Sequence, residues 1–172
     1  MKLQQASMSP QDVVILLKIA SYGQNLWNQV KLAEELNLSQ PEISNSLARS
    51  RYAGLLDESG KNVRKQALLD FLQYGIAYAF PAKPGPVLRG VPTAHSGPPL
   101  NTLIESNGDE YVWPSATGQL RGQAISPLYK NVVKAVKGDN ELHELLSLVD
   151  AIRVGRVREK NLAIEELKKR LL

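Results

Sequence analysis

The sequence predicts a helix-rich α+β protein with helices at both ends and a small β-sheet between them. Apolar residues recur at helical spacing in the first and last parts of the chain. In the middle, around residues 76–91, they alternate with a period of two, and prolines and glycines interrupt the pattern. We therefore expect three regions: a helical domain over 8–75, a β-containing segment over 76–127 and a helical region over 128–172.

The N-terminal region contains three predicted helix starts. Ser9-Pro10-Gln11-Asp12 combines a capping serine, a proline in the first turn and an acid three residues on. A second helix is expected to begin at Asn28. After the turn Asn37-Leu38, a third is expected over Ser39–Ala53, with Glu42 completing a capping box.

A fourth helix is predicted over Val63–Tyr74, and the period-two pattern then predicts a strand through Ile76, Tyr78 and Phe80. A proline-rich loop follows, and Val87–Val91 is the expected return strand, so that the two strands would form a hairpin. The Pro92 to Pro99 stretch is typical of irregular connecting chain.

A short sequence pattern occurs twice in the middle of the chain. Tyr78–Ala82 aligns with Tyr111–Ser115, and Leu88-Arg89-Gly90 aligns with Leu120-Arg121-Gly122. Two such copies predict two related hairpins in one small sheet, although chance likeness of two turn-rich segments is an alternative.

The C-terminal region is predicted to hold two long helices. Asp139-Asn140 caps the first, and the second follows Gly155 and extends to the end of the chain. Leu162, Leu167 and Leu171 in the last helix are consistent with a dimer contact or with packing inside one chain.

The segment from Val30 to Asn45 has the pattern of a helix-turn-helix, in which two helices cross steeply over a very short turn. A small residue, Ala33, is expected where the helices approach each other. Leu36, Leu38 and Ile43 are expected in the core, so the polar residues between them must point outward from the third helix.

The outward residues suit the major groove of DNA, because Gln and Asn side chains can pair with adenine and Ser can bond to base edges or phosphates. Long cations nearby can bond to phosphates and fix the register. The alternatives are a helical hairpin whose polar face meets only water, or a winged helix that binds protein. The candidate DNA-contacting residues are Ser39, Gln40, Pro41, Ser44, Asn45, Arg49, Arg51, Lys61, Arg64 and Lys65.

Residues 9–56 resemble the winged-helix domain of MarR-like bacterial transcriptional regulators. The resemblance rests on Leu32-Ala33, Leu36, Leu38-Ser39-Gln40-Pro41, Ser44, Leu47 and Ala53-Gly54-Leu55-Leu56. It implies a winged helix-turn-helix that binds double-stranded DNA.

Two features depart from this family. Ser50 stands where the family usually has leucine, and the Asp-x-Arg wing expected after Leu56 is absent. A wing is expected either in the loop 57–62, followed by Arg64 and Lys65, or in the later hairpin around Lys83 and Arg89. Later segments are similar to small bacterial regulators, some of which lie beside nucleotidyltransferase-like toxin genes.

Composition limits the function classes. The 172 residues carry a net charge of +4 and no cysteine, which excludes disulfides and thiolate metal sites. With no apolar run of about 18 residues and no apolar segment behind Lys2, we expect a cytoplasmic protein without a membrane span or a secretory signal. His95 and His143 are far apart, and no catalytic or phosphate-loop motif is present, so we expect neither an enzyme nor a cofactor.

The sequence therefore predicts a sequence-specific DNA-binding regulator, a repressor that acts as a homodimer with the Ser39–Ala53 helix in the major groove. The alternative is a protein-interaction module or antitoxin-like partner of a toxin, in which DNA binding is secondary.

Two further groups of cations have open interpretations. Arg153, Arg156, Arg158 and Lys160 could contact phosphates or pair with nearby acids, and Arg89 and Arg121 could line an anion pocket or be merely exposed.

Overall fold

A computed structural model describes residues 6–172. The expectation that the chain has no secretory signal concerns residues 1–5, which lie outside the described part. The fold is α+β, as predicted, and about 53% of it is helical. The helices are α1 (Pro10–Ser21), α2 (Gln29–Leu36), α3 (Gln40–Tyr52), α4 (Lys65–Tyr74), α5 (Ile76–Ala79), α6 (Val132–Val136), α7 (Asn140–Val154) and α8 (Val157–Leu171). The strands are β1 (Val87–Pro92), β2 (Tyr111–Pro114) and β3 (Leu120–Ala124).

Helix α1 lies at the centre of the molecule. Its residues 13–17 are all completely buried, and it contacts α2, α3 and α7. Five consecutive residues occupy every side of a helix, so this apolar part of α1 can be stable only when other elements surround it. One continuous hydrophobic core therefore extends from Val13 to Leu171.

The predicted helix starts in the N-terminal region are confirmed. The backbone N–H of Ser9 donates to Asp12 at 2.8 Å, and the Asn28 side chain accepts from the N–H of Lys31 at 2.9 Å. These side chains satisfy N–H groups that a helix terminus otherwise leaves without partners. The chain thus enters each helix where the capping residues predict.

The strand predicted through Ile76, Tyr78 and Phe80 is wrong, because residues 76–79 form the short helix α5. Ile76 is completely buried whereas Tyr78 is 86% exposed, so the two side chains do not share a sheet face. Phe80 packs edge-on against Phe71 of α4, with ring centroids 6.2 Å apart. Over so short a run, periodicity does not separate a strand from a helical turn.

The sheet is a closed three-stranded barrel. Strand β1 pairs antiparallel with both β2 and β3, while β2 and β3 pair in parallel. The two predicted hairpins are therefore wrong. The segments Leu88-Arg89-Gly90 and Leu120-Arg121-Gly122 instead pair with each other, with Arg89 opposite Arg121.

The glycine of each repeated segment allows the barrel to close. A Cβ on Gly90 would lie 2.1 Å from the carbonyl oxygen of Trp113, and one on Gly122 would lie 2.7 Å from that of Glu110. Both contacts are far shorter than a side chain permits. Successive residues of a strand point to opposite faces, so the arginine before each glycine points away from the barrel interior.

The C-terminal region is helical, as predicted. Asp139 caps α7 by accepting from the N–H of Leu142 at 3.1 Å, and α8 follows Gly155. Leu167 and Leu171 are buried within the chain, so intramolecular packing accounts for them and the dimer contact suggested for them is not needed. None of the helices within residues 6–172 combines the length and apolar character that crossing a bilayer requires.

Candidate nucleic-acid interface

The turn between α2 and α3 has the tight geometry that the sequence predicts. Asn37 adopts a left-handed backbone conformation with φ of 54°, which asparagine tolerates better than most residues. The N–H of Leu38 then donates to the carbonyl of Ala33 at 2.9 Å. Only three residues, 37–39, separate the two helices.

A second segment supports this turn from the side. The hydroxyl of Tyr129 donates to the carbonyl of Leu36 at 3.2 Å, and the side-chain amide of Asn131 donates to the carbonyl of Asn37 at 2.8 Å. These bonds satisfy carbonyls at the C-terminal end of α2. The crossing of α2 and α3 is therefore held by residues almost a hundred positions away.

The start of α3 is stabilised by a capping box. The N–H and hydroxyl of Ser39 both donate to the Glu42 carboxylate, at 2.9 and 3.0 Å. The backbone N–H of Ser39, and then its hydroxyl, lower the pKa of Glu42. The only acid of α3 is thus engaged with the start of its own helix.

Burial on the two helices follows the predicted pattern. Ala33, Leu36, Leu38 and Ile43 are 6%, 0%, 9% and 0% exposed. Ser50, where leucine was expected from the resemblance, is also completely buried. The predicted outward residues of α3 are all exposed: Ser39, Gln40, Pro41, Ser44 and Asn45. The interior anchors therefore leave an open polar face on the first turns of α3.

Arg49 lies on a different side of α3 and makes an internal ion pair. Its Nε and Nη2 donate to the two carboxylate oxygens of Asp12 in α1, at 2.8 and 2.7 Å. The bonds to Asp12 raise the pKa of Arg49. Two of its three nitrogens are thus used to join α3 to α1, and the phosphate contact predicted for Arg49 stays a prediction.

The loop over residues 57–62 is a compact turn closed by one antiparallel bridge between Leu56 and Val63. The Asp57 carboxylate accepts from the hydroxyl of Ser59 at 2.6 Å and from the amide of Asn62 at 2.8 Å. These bonds, with two backbone N–H groups, hold the pKa of Asp57 well below its usual range. The turn occupies the first position that we predict for a wing, without extended strands.

The second position predicted for a wing, a hairpin around Lys83 and Arg89, does not exist. Lys83 lies in the loop before β1. Arg89 lies in β1, whose partners are β2 and β3, while residues 76–79 of the expected partner segment form the helix α5.

A groove of about 210 Å³ separates the outer face of α3 from the turn at 57–62. Three of the predicted residues line it: Ser44, Arg51 and Lys61. Arg51 donates through Nη1 to the carbonyl of Glu58 at 3.3 Å. The groove therefore has a polar helix on one side and two cations at its edge.

Trp27 positions one of these cations. Its indole N–H donates to the carbonyl of Lys61 at 3.2 Å, and Nζ of Lys61 lies 4.6 Å from the ring centroid. An aromatic face attracts a cation at this distance but does not neutralise its charge. The ammonium group is thus oriented and still available to an anion. Sequence reasoning missed Trp27, whose only signal was an aromatic residue in a polar segment just before a helix cap.

The remaining predicted cations lie close in sequence but not in the same groove. Lys65 is exposed and lines a neighbouring cavity together with Lys61 and Trp27. Arg64 is exposed at the start of α4. The structure thus brings Ser44, Arg51 and Lys61 together and leaves Arg64 apart.

Comparison of the chain with protein-family models, curated proteins and solved structures finds no match. The resemblance to MarR-like regulators therefore stays a prediction, and the case for function rests on the geometry of the chain.

Proposed function

We propose that this protein is a sequence-specific DNA-binding transcriptional regulator that inserts α3 into the major groove. The observation that supports it best is the burial pattern, in which four anchors are interior while Gln40, Ser44 and Asn45 are exposed on the first turns of α3. In helix-turn-helix proteins the N-terminal residues of the second helix contact base edges.

Charge on this surface also favours DNA. The exposed residues at the start of α3 are neutral, and Glu42 is bonded to Ser39. Arg51 and Lys61 stand at the edge of the groove beside α3, where a phosphate strand would flank a helix in the major groove. A face that combines neutral hydrogen-bonding groups with flanking cations suits base reading and backbone positioning at once.

We further propose that the protein acts as a homodimeric repressor. One short helix reads too few base pairs to select a single site, and two copies on paired half-sites overcome this limit. Leu167 and Leu171 of α8 are buried in the core, so the proposed dimer would use another surface.

Selection of bound duplexes from a random-sequence DNA pool tests the proposal. The unmodified chain should enrich a defined site, and Asn45→Ala should abolish that enrichment while leaving the melting temperature unchanged, because Asn45 is exposed. Losing a bidentate base contact costs about 1–3 kcal/mol of discrimination. The matched control is Asn161→Ala, an exposed asparagine on α8, which should behave like the unmodified chain.

The pool experiment contradicts the proposal if the chain enriches no site, or if Asn45→Ala and Asn161→Ala enrich the same site equally well. A salt titration adds an independent measurement. Binding should weaken steeply as salt rises, since phosphate contacts release counterions. A weak response to salt would indicate an interface that is not electrostatic.

One observation favours the alternative, a protein-interaction module with an antitoxin-like role. Leu26 is 95% exposed beside a cavity of about 470 Å³ lined in part by Ile19, Trp27 and Val63. An exposed leucine beside a cavity with several apolar lining residues is typical of protein contacts. If the partner at this surface is a second copy of the chain, Leu26→Ser should weaken self-association in sedimentation velocity and leave DNA enrichment intact. Unchanged self-association would leave the surface free for a different protein, as the antitoxin-like alternative requires.

A further inference from the structure

Two exposed arginines face each other across the β1–β3 ladder. Arg89 and Arg121 are directly opposite in the antiparallel register. The carbonyl of Pro86 accepts from the backbone N–H of Ala124 in β3. The carbonyl of Arg89, three positions further on, points the other way and accepts from the backbone N–H of Ser115 at 2.9 Å. Arg89 therefore directs its backbone groups away from β3, and the arginines form a non-hydrogen-bonded pair. The Cα atoms of such pairs are about 4.5 Å apart, closer than those of hydrogen-bonded pairs.

No acidic side chain of residues 6–172 forms an ion pair with either arginine. The three strands contain neither Asp nor Glu. Glu110, just before β2, packs over Gly122 on the inner face, and its carboxylate accepts from the hydroxyl of Ser106. Within residues 6–172 the arginines that form ion pairs are Arg49, Arg153 and Arg170, and neither Arg89 nor Arg121 does so.

Like charges directly opposite each other destabilise a β-ladder. We infer that the Arg89–Arg121 pair is a binding site for a phosphate group. Each guanidinium presents several N–H donors in a planar fork that matches the oxygens of phosphate. A bound phosphate would convert the repulsion between the two strands into two charge-assisted contacts with one shared anion.

Neighbouring residues on the same face fit this ligand. Gln123 and Val87 are paired two positions further along the strands, and residues two apart share a face. Gln123 adds a neutral donor, while Val87, which is 55% exposed, adds an apolar border. This site also explains why the Leu-Arg-Gly segment occurs twice. Each glycine allows the barrel to close, and each arginine faces the same external site.

Thermal unfolding of the full chain, with sodium phosphate replacing sodium chloride at constant ionic strength and pH, tests the inference. Phosphate should raise the Tm of the unmodified chain by about 2–4 °C. Arg89→Gln and Arg121→Gln should each remove that rise, and should melt no lower than the unmodified chain in chloride, because the repulsion is gone. Arg158→Gln is the control, an exposed arginine on α8, and should retain the rise.

Several results would overturn the inference. These are no rise in the unmodified chain, an equal rise in Arg89→Gln and Arg121→Gln, or an equal loss in Arg158→Gln. A phosphate titration followed by arginine Nε–Hε resonances adds a measurement that does not depend on the stability of any variant. Two arginine signals should shift together, and they should be those missing from Arg89→Gln and Arg121→Gln.

The phosphate could belong to DNA or to a small phosphorylated molecule, and a salt titration of DNA binding separates these sources. If the pair contacts a DNA phosphate, Arg121→Gln should reduce the slope of log K against log salt by about 1. If the ligand is a small molecule, the slope should not change. The phosphate titration uses no DNA, so the failure of α3 to read DNA would leave its outcome intact.

Discussion

Two aspartate–arginine ion pairs each stabilise one region of the molecule. The pairs differ in how far their arginine side chains are exposed to solvent. In the N-terminal region Asp12 is completely buried, but the Arg49 side chain is 32% exposed. In the barrel region, which we define as β1–β3 together with α7, the side chains of Asp150 and Arg153 are only 2% and 4% exposed. The first charge pair lies at a surface and the second lies inside the core.

The buried pair is surrounded by several further hydrogen bonds. Asp150 accepts from Thr93 and from the indole of Trp113, each at 2.7 Å, and from Arg153 at 2.8 Å. Arg153 also donates to the carbonyls of Phe80 and Ser126. Of the two explanations for the C-terminal cations, pairing with a nearby acid is therefore the one that applies to Arg153.

Ion pairs between the same two residue types therefore have different roles in the two regions. The Asp150–Arg153 pair ties the barrel and two loops to α7, through the side chains of Thr93 and Trp113 and the carbonyls of Phe80 and Ser126. The Asp12–Arg49 pair orients α3 on α1 next to the exposed face of α3. Removing one partner of a buried pair costs more than removing one partner that water can replace.

The largest expected loss of stability is that of Asp150→Ala. It leaves the Arg153 guanidinium buried without a counter-charge and the Thr93 and Trp113 donors without an acceptor, so the free energy of unfolding should fall by about 3–5 kcal/mol. Urea denaturation measures this loss. Asp150→Asn, which keeps an acceptor, should lose less, and a loss below about 1 kcal/mol for Asp150→Ala would contradict the role of this network.

A smaller loss is expected for Asp12→Ala, about 1–3 kcal/mol, because Arg49 can be hydrated once its partner is gone. The cap of α1 is lost as well, since the N–H of Ser9 donates to Asp12. The control is Asp70→Ala, an exposed acid on α4, which should change stability by less than about 0.5 kcal/mol. If Asp12→Ala destabilised the chain as much as Asp150→Ala, the distinction between the two pairs would not hold.

The smallest expected effect is a dependence of stability on pH near neutrality that originates at His143 in the barrel region. His143 donates to the carbonyl of Pro92 at 2.8 Å and lies against Trp113, with ring centroids 5.3 Å apart. Burial lowers the pKa of His143. The unfolded chain then binds a proton more readily than the folded chain below about pH 6.5, so stability should decrease as the pH falls through this range.

Urea denaturation at pH 7.5 and pH 5.5 measures this slope. His143→Gln keeps a donor for Pro92 but cannot be protonated, so it should flatten the slope. An unchanged slope in His143→Gln would show that another group causes the pH dependence. The α1–α3 region contains no histidine, so no such contribution is expected from it.

The sequence predicted the N-terminal helices well because their starts depend on local bonds. Ser9, Asn28 and Ser39 each bond within three residues of themselves, and such bonds can be recognised from spacing alone. The outward face of α3 followed from the same helices, since the positions of the interior anchors determine which residues remain outside.

The barrel could not be predicted in this way. Its closure depends on pairing between residues about thirty positions apart, as at Arg89 and Arg121, and the repeat indicated related segments without indicating that they pair with each other. The segment at 76–79 is helical with only Ile76 buried, which three alternating apolar residues do not reveal. The contact of Trp27 with Lys61 also depends on tertiary packing, which no local pattern encodes.

Thiol protection offers the most direct test of the proposal that the exposed face of α3 contacts DNA. The chain has no cysteine, so Ser44→Cys and Asn161→Cys each introduce a unique thiol at an exposed position. The rate of alkylation should fall at least several-fold at position 44 when the selected duplex is added, and stay unchanged at position 161. Equal rates with and without bound DNA at position 44 would contradict the account.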